Sequence, residues 1–121
     1  MTWLPSVQDV ADLMPTRFGE SGPDDYTIPS ADQLDRLIGR RAVEVRADCG
    51  RVDDVDDQAI VDLATETVAL GTAAYVASQF FPEQQDNSEE QQFLRRRYEE
   101  HRHLLRRQIL MWWRANRDEV P

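Results

Sequence analysis

Apolar residues in this chain recur at helical spacing in four separate stretches. Val7, Val10, Ala11 and Met14 fall at i, i+3, i+4 and i+7, one face of an α-helix. Ser6 stands where an N-cap belongs and Pro15 ends the pattern, predicting a helix over 7–14. Two turns are too few to be stable alone, so this piece must dock on something. Between 17 and 29 the periodicity lapses into Gly19, Ser21, Gly22, Pro23, Asp24 and Asp25, all turn formers. Tyr26 and Ile28 are expected to form a short extended stretch that pins this long loop to the body.

The second helix is predicted over 31–49. Ser30 and Gln33 make a capping box, Leu34, Leu37, Ile38, Val45 and Cys49 line one face, and Gly50 is the stop. The third is predicted over 56–81, opening at the acids Asp54 to Asp57 and closing before Pro82. Its first half is amphipathic, with Ile60, Leu63, Ala64 and Thr67 inward. Its second half is apolar nearly all round, which marks a helix buried on several sides. Gly71, Ala73, Ala74, Ala77 and Ser78 are small and let neighbours approach closely. The charge-free run from Thr67 to Phe81 falls short of the roughly 20 apolar residues of a membrane span. Leu37, Leu63, Leu70 and Tyr75 are expected in the core. Residues 82–88 are polar, Ser88 with Gln91 reads as another capping box, and a last helix is predicted over 89–117. Leu94, Tyr98, Leu105, Ile109 and Trp112 form its apolar stripe, with His101 inside it.

These patterns predict an all-α fold: a small bundle of one short and three longer helices in a single domain. The short helix and loop occupy 1–29, the core helices 30–87 and a long C-terminal helix 88–121. About thirty helical residues span about 45 Å, against about 35 Å for a compact domain of this length. The last helix is therefore expected to overhang the body at its end.

Charge sharpens this division. The net charge is −9 over 121 residues. Residues 1–92 hold 6 Arg against 19 acids, a balance of −13, whereas residues 93–121 hold 8 Arg against 4 acids, a balance of +4. An acidic body repels nucleic acid and anionic membranes at long range. All 14 basic residues are Arg, which suits a GC-rich coding sequence and also favours interface ion pairs. The N-terminus has no signal-peptide pattern, and Cys49, the one cysteine, excludes an internal disulfide.

Candidate chemistry is sparse. The Asp53–Asp57 cluster lacks the glycine and distal glutamate of a calcium loop, with Ala59 and Thr65 in those positions. His101 and His103 lie two apart on a helix and face different ways, unlike a metal pair. Cys49 near a helix C-terminus is opposed by the dipole as a thiolate. There is no phosphate loop, nucleophile elbow or HExxH, so no catalytic, cofactor or metal site is assigned. The remaining feature is the Arg-rich last helix, which can be a protein interface, a solvated face or a DNA contact. Trp and Arg are favoured interface anchors, and the acidic body argues against DNA. The candidate partner-binding residues are Arg106, Arg107, Met111, Trp112, Trp113, Arg114 and Arg117.

The order of phrases has a precedent. "SVQDVADLMPTR" at 6–17, "TIPSADQLDRLIGRRAVEVRADCG" at 27–50 and "DQAIVDLATETVALGTAAYVASQFFPEQ" at 57–84, followed by a closing helix, resemble the head-to-tail connector (adaptor) proteins of long-tailed bacteriophages. The resemblance spans nearly the whole chain but carries no catalytic signature. It implies a structural virion protein, made in the host bacterial cytoplasm and placed at the head–tail interface. It implies a homo-oligomeric ring, typically of twelve copies, that extends the DNA channel without gripping DNA. It implies a portal partner on one side and a head-closure, stopper or tail protein on the other, no membrane and no cofactor. The C-terminal segment would reach onto the portal. The alternative is a small helical DNA-binding or regulatory protein that uses the Arg-rich helix.

Overall fold

The structure, a computed structural model, describes residues 2–15, 17–18, 22–80 and 85–116. Its elements are α1 (Val7–Asp12), α2 (Ala31–Cys49), a short 3-10 turn (Val52–Asp54), α3 (Gln58–Phe80) and α4 (Gln85–Asn116), with no strand among the described residues. The all-α bundle predicted from periodicity is what the chain forms.

Local signals place two of the helix starts. The Ser6 hydroxyl accepts from the Asp9 N–H while the Asp9 carboxylate accepts from the Ser6 N–H. Ser30 and Gln33 repeat this box at α2. Gly50 ends α2 at φ 118°, a value that favours glycine, and its N–H reaches the Arg46 carbonyl. The start of α4 differs from the sequence expectation. The helix begins at Gln85, so Ser88 lies inside its first turn and is not a cap. Gln91 instead donates its side-chain amide to the Ala77 carbonyl, one of the orphan acceptors at the end of α3. The expected end of α3 at residue 81 lies outside the described residues.

α3 and α4 run antiparallel, and two contacts between them mark their register: Gln91 meets Ala77, and His101 Nε2 lies 3.4 Å from Glu66. Just before α3, Asp56 accepts from Trp112 Nε1 at 3.1 Å. α2 lies across both. By length and composition α3 could cross a membrane, but over half of its most apolar window is buried against its neighbours. Val68, Leu70, Ala73, Val76 and Ala77 are buried on α3, as are Leu34, Ile38, Ala42 and Val45 on α2 and Leu94, Leu105 and Ile109 on α4. α1, which ends at Asp12 rather than at residue 14, adds Val10 and Ala11, with Trp3 before it and Met14 and Phe18 after it. Trp3 is pinned by its indole N–H to Asp53 and by its carbonyl to the Thr65 hydroxyl. Val52 and Val55 add a small buried patch that periodicity did not reveal.

Of the four expected core residues, only Leu70 is fully buried. Leu37 and Leu63 are partly buried against the core, and Tyr75 is 37% exposed. Gly71, Ala74 and Ser78 surround Tyr75 on α3 and draw α2 and α4 in, leaving its ring at the mouth of a groove. The expected pinning of the loop by Tyr26 and Ile28 is also overturned, since they are 93% and 73% exposed. The Asp24 carboxylate accepts from the Tyr26 and Thr27 N–H groups, closing a turn that throws both side chains outward. Pro29, next in sequence, is buried.

The two glycines within α2 and α3 should respond oppositely to alanine. A Cβ at Gly71 would stand 2.7 Å from the Tyr98 ring and 2.9 Å from Arg41, so Gly71→Ala should cost about 1–3 kcal/mol by overpacking. A Cβ at Gly39 meets nothing within 4 Å, so Gly39→Ala should add about 0.5–1 kcal/mol. Urea unfolding monitored by circular dichroism measures both.

Candidate protein interface

α4 presents one face to the core and leaves the rest to solvent. The predicted stripe is correct: Leu94, Leu105 and Ile109 are buried, with Tyr98 and Trp112 partly so. His101 Nδ1–H donates to the Arg97 carbonyl at 2.8 Å and lies within the stripe, while His103 is largely exposed. The expected overhang is smaller than predicted. Ile109 is 2% exposed, and the Trp112 indole is hydrogen-bonded to Asp56. The turn at 52–57 extends the body beneath the last part of the helix, so α4 stays seated through Trp112.

The outer side of this end carries the candidate interface. Met111 is 55% and Trp113 41% exposed, with Leu110 beside them. Trp113 stands edge-on to Trp112 at 5.0 Å, so one indole is held to the body and braces the other in solvent. Arg107 and Arg114 are exposed and make no ion pair among the described residues. Arg117 lies outside the described residues. Arg106 differs from its neighbours, because its guanidinium is bonded to the Asp48 carboxylate and reaches the Asp48 carbonyl. The seven predicted residues therefore divide. Met111, Trp113, Arg107 and Arg114 face outward, whereas Trp112 and Arg106 join α4 to its own subunit.

Asp48 is the residue that sequence reasoning missed. It receives Arg102 at 3.0 Å as well as Arg106, one helical turn apart on α4. Glu99 binds Arg102 as well, and these acids hold its proton more firmly than usual. The i, i+4 arginine pair was the available signal, but their partner is distant in sequence. Phe93 and Leu104 are also exposed, on the same side of α4 as Met111. Arg97 covers the Phe93 ring at 5.9 Å.

The acidic run at 53–57 is divided among separate tasks. Asp53 takes the Trp3 indole, Asp54 faces Arg51 at 3.8 Å, Asp56 takes the Trp112 indole, and Asp57 accepts from the Ala59 N–H at the start of α3. Among the described residues no group of three or more His, Cys, Asp and Glu side chains is arranged to hold a metal ion. Cys49 is 6% exposed, and its thiol approaches the Arg102 carbonyl at 3.5 Å. Burial first, then the negative Asp48, pushes its pKa up to about 11, so it stays protonated at neutral pH. Comparison with protein-family models, with curated proteins and with solved structures returns no match.

Asp48→Ala should lower stability by about 1 kcal/mol, the range for partly exposed ion pairs, with a smaller loss at high salt. Cys49 gives a pH signature. Its folded pKa lies above the ordinary 9, so its contribution is intact below pH 9 and is lost as pH rises from 9 toward 11. Urea midpoints across that range, with Cys49→Ala as reference, measure it. A thiol reagent at neutral pH should label Cys49 much faster in the unfolded chain than in the native one.

Proposed function

We propose that this chain is a structural connector subunit that forms a ring beneath a phage portal and extends the DNA channel toward the tail. The outer face of the α4 end, with Met111, Trp113, Arg107 and Arg114, docks on the portal. The observation that carries the reading is the pair of exposed apolar side chains on a seated helix, flanked by Arg107 and Arg114, which make no ion pair among the described residues. Aromatic anchors ringed by Arg are the composition of interface hot spots. The resemblance in phrase and helix order supplies the identity of the partner. The acidic body suits a channel wall past which DNA must slide, because it offers phosphates little attraction. No catalytic step is assigned.

One observation favours the second reading, a DNA-binding or regulatory protein. Arg96, Arg107 and Arg114 are all exposed, and their spacings of 11 and 7 residues set them along one outward line of α4. Such a line could follow a phosphate backbone.

Truncation after Gln108 would remove the buried Ile109 and the Trp112–Asp56 bond, so its failure would not separate docking from folding. Met111→Glu with Trp113→Glu should leave helicity and melting temperature near those of the parent, yet prevent the subunit from joining portals or yielding tailed particles. Undiminished joining overturns the docking reading. In gel shifts, binding should be weak and disappear by about 200 mM salt. Tight binding that survives this salt, and that is lost in Arg96→Glu, establishes the second reading instead.

A further inference from the structure

A second unpartnered surface lies away from the α4 end. Two adjoining hollows of about 170 and 230 Å³ share Arg41 and Tyr75 and form one groove between α2, α3 and α4. Leu37, Tyr75 and Tyr98 give it apolar walls, and Gly71 lowers its floor. Its charges are unequally committed. Glu44 is bound by Arg41 and Glu99 by Arg102, whereas Arg40 and Arg95 make no ion pair among the described residues. The groove therefore offers apolar walls with two uncommitted positive charges.

The complement is on the same chain. The turn at Asp24–Ile28 is closed on itself by hydrogen bonds and displays Tyr26 and Ile28, the two most exposed large apolar residues among those described. Asp25 flanks Tyr26, and its exposed carboxylate has no partner among the described residues. Within one subunit the two surfaces do not meet, since Tyr26 is 93% exposed and the groove begins two turns into α2. We propose that the Asp24–Ile28 turn of one subunit docks in the Tyr75 groove of a second copy of this chain, Tyr26 and Ile28 against Leu37 and Tyr75, with the acids beside Arg40 and Arg95. Donor and acceptor are different surfaces, so the contact is head-to-tail and propagates into a ring or an open filament. The proposal deepens the connector reading and rests on it for ring closure alone.

Sedimentation velocity up to about 1 mM, where weak contacts populate, tests the contact. The parent chain should self-associate with concentration. Tyr26→Asp in the turn and Tyr75→Glu in the groove should each weaken association at least about tenfold. Arg40→Glu, at an exposed position, repeats the groove test without touching packing, and circular dichroism checks that each variant folds. The turn variant keeps its groove and the groove variant keeps its turn, so their mixture should give a dimer that neither forms alone. A parent that stays monomeric throughout, variants that associate like the parent, or a mixture without the dimer each overturn the contact. Rings that persist in both variants overturn the contact and leave the connector reading standing. A mixed dimer from a parent that forms only open filaments upholds the contact and removes ring closure.

Discussion

The close approach of three helices at Gly71 is the constraint on which the rest depends. With no side chain there, the Tyr98 ring of α4 lies directly on α3, and Arg41 of α2 reaches over the same ring at 5.3 Å. One aromatic ring thereby sets the distance of α4 from α3 and the position of α2 over both. Burial raises the Tyr98 pKa despite the neighbouring arginines, consistent with a phenol held in a crowded, weakly solvated position. The groove beside it follows from the same approach. Tyr75 lies on the same face of α3 as Gly71 and Ser78 and stands at the surface, lining the groove.

The second organising influence is the placement of acids. A balance of −13 over residues 1–92 is unfavourable for a compact body, and the fold distributes it. Asp48 at the end of α2 holds Arg102 and Arg106, so the basic helix is drawn onto the acidic body at the point where α2 ends. Asp53 and Asp56 take the indoles of Trp3 and Trp112, tying the N-terminal segment and the α4 end to one short turn. A hydrogen bond to an ionised acceptor is stronger than one between neutral groups, so these acids hold two large rings in place. The same bonds explain why α4 does not overhang the body as far as its length suggested.

What the sequence revealed was local. Ser6, Ser30 with Gln33, and Gly50 act through their own neighbours within four residues, and each does what its type predicts. Ser88 with Gln91 has the same pattern and fails, because Gln91 is taken by a carbonyl at the end of α3 that no local rule can see. Val52 and Val55 escaped notice because two apolar residues inside an acidic run are too few to establish a period. Tyr75 was misplaced for the opposite reason: where a helix is apolar all round, periodicity cannot choose the side that stays open. The Arg-rich helix was visible as a candidate interface. Which of its arginines are already engaged was not, since Asp48 lies more than fifty residues away.

Several exposed apolar groups sit in distinct settings: Met111 and Trp113 at one end of α4, Tyr26 and Ile28 on a turn before α2, and Tyr75 in a groove between helices, while Leu4, Val43, Phe93, Leu104 and Leu110 are exposed as well. Single exposed apolar residues are ordinary, but a ring braced by its neighbour and a turn that closes on itself each fix their side chains in solvent, where burial would otherwise be favoured. Such fixing has a use if the burial takes place in an assembly. A subunit within a ring needs two unlike lateral surfaces and at least one axial surface, since a self-complementary patch would close a pair and stop. Turn, groove and helix end are three unlike surfaces. The turn displays acid beside apolar groups, whereas the groove and helix end each set arginine without an ion pair among the described residues beside apolar groups, so by charge the turn is matched to either of the other two and to no second turn. On the proposed head-to-tail contact, shape separates the two: the groove is recessed beside Gly71, which suits a protruding turn.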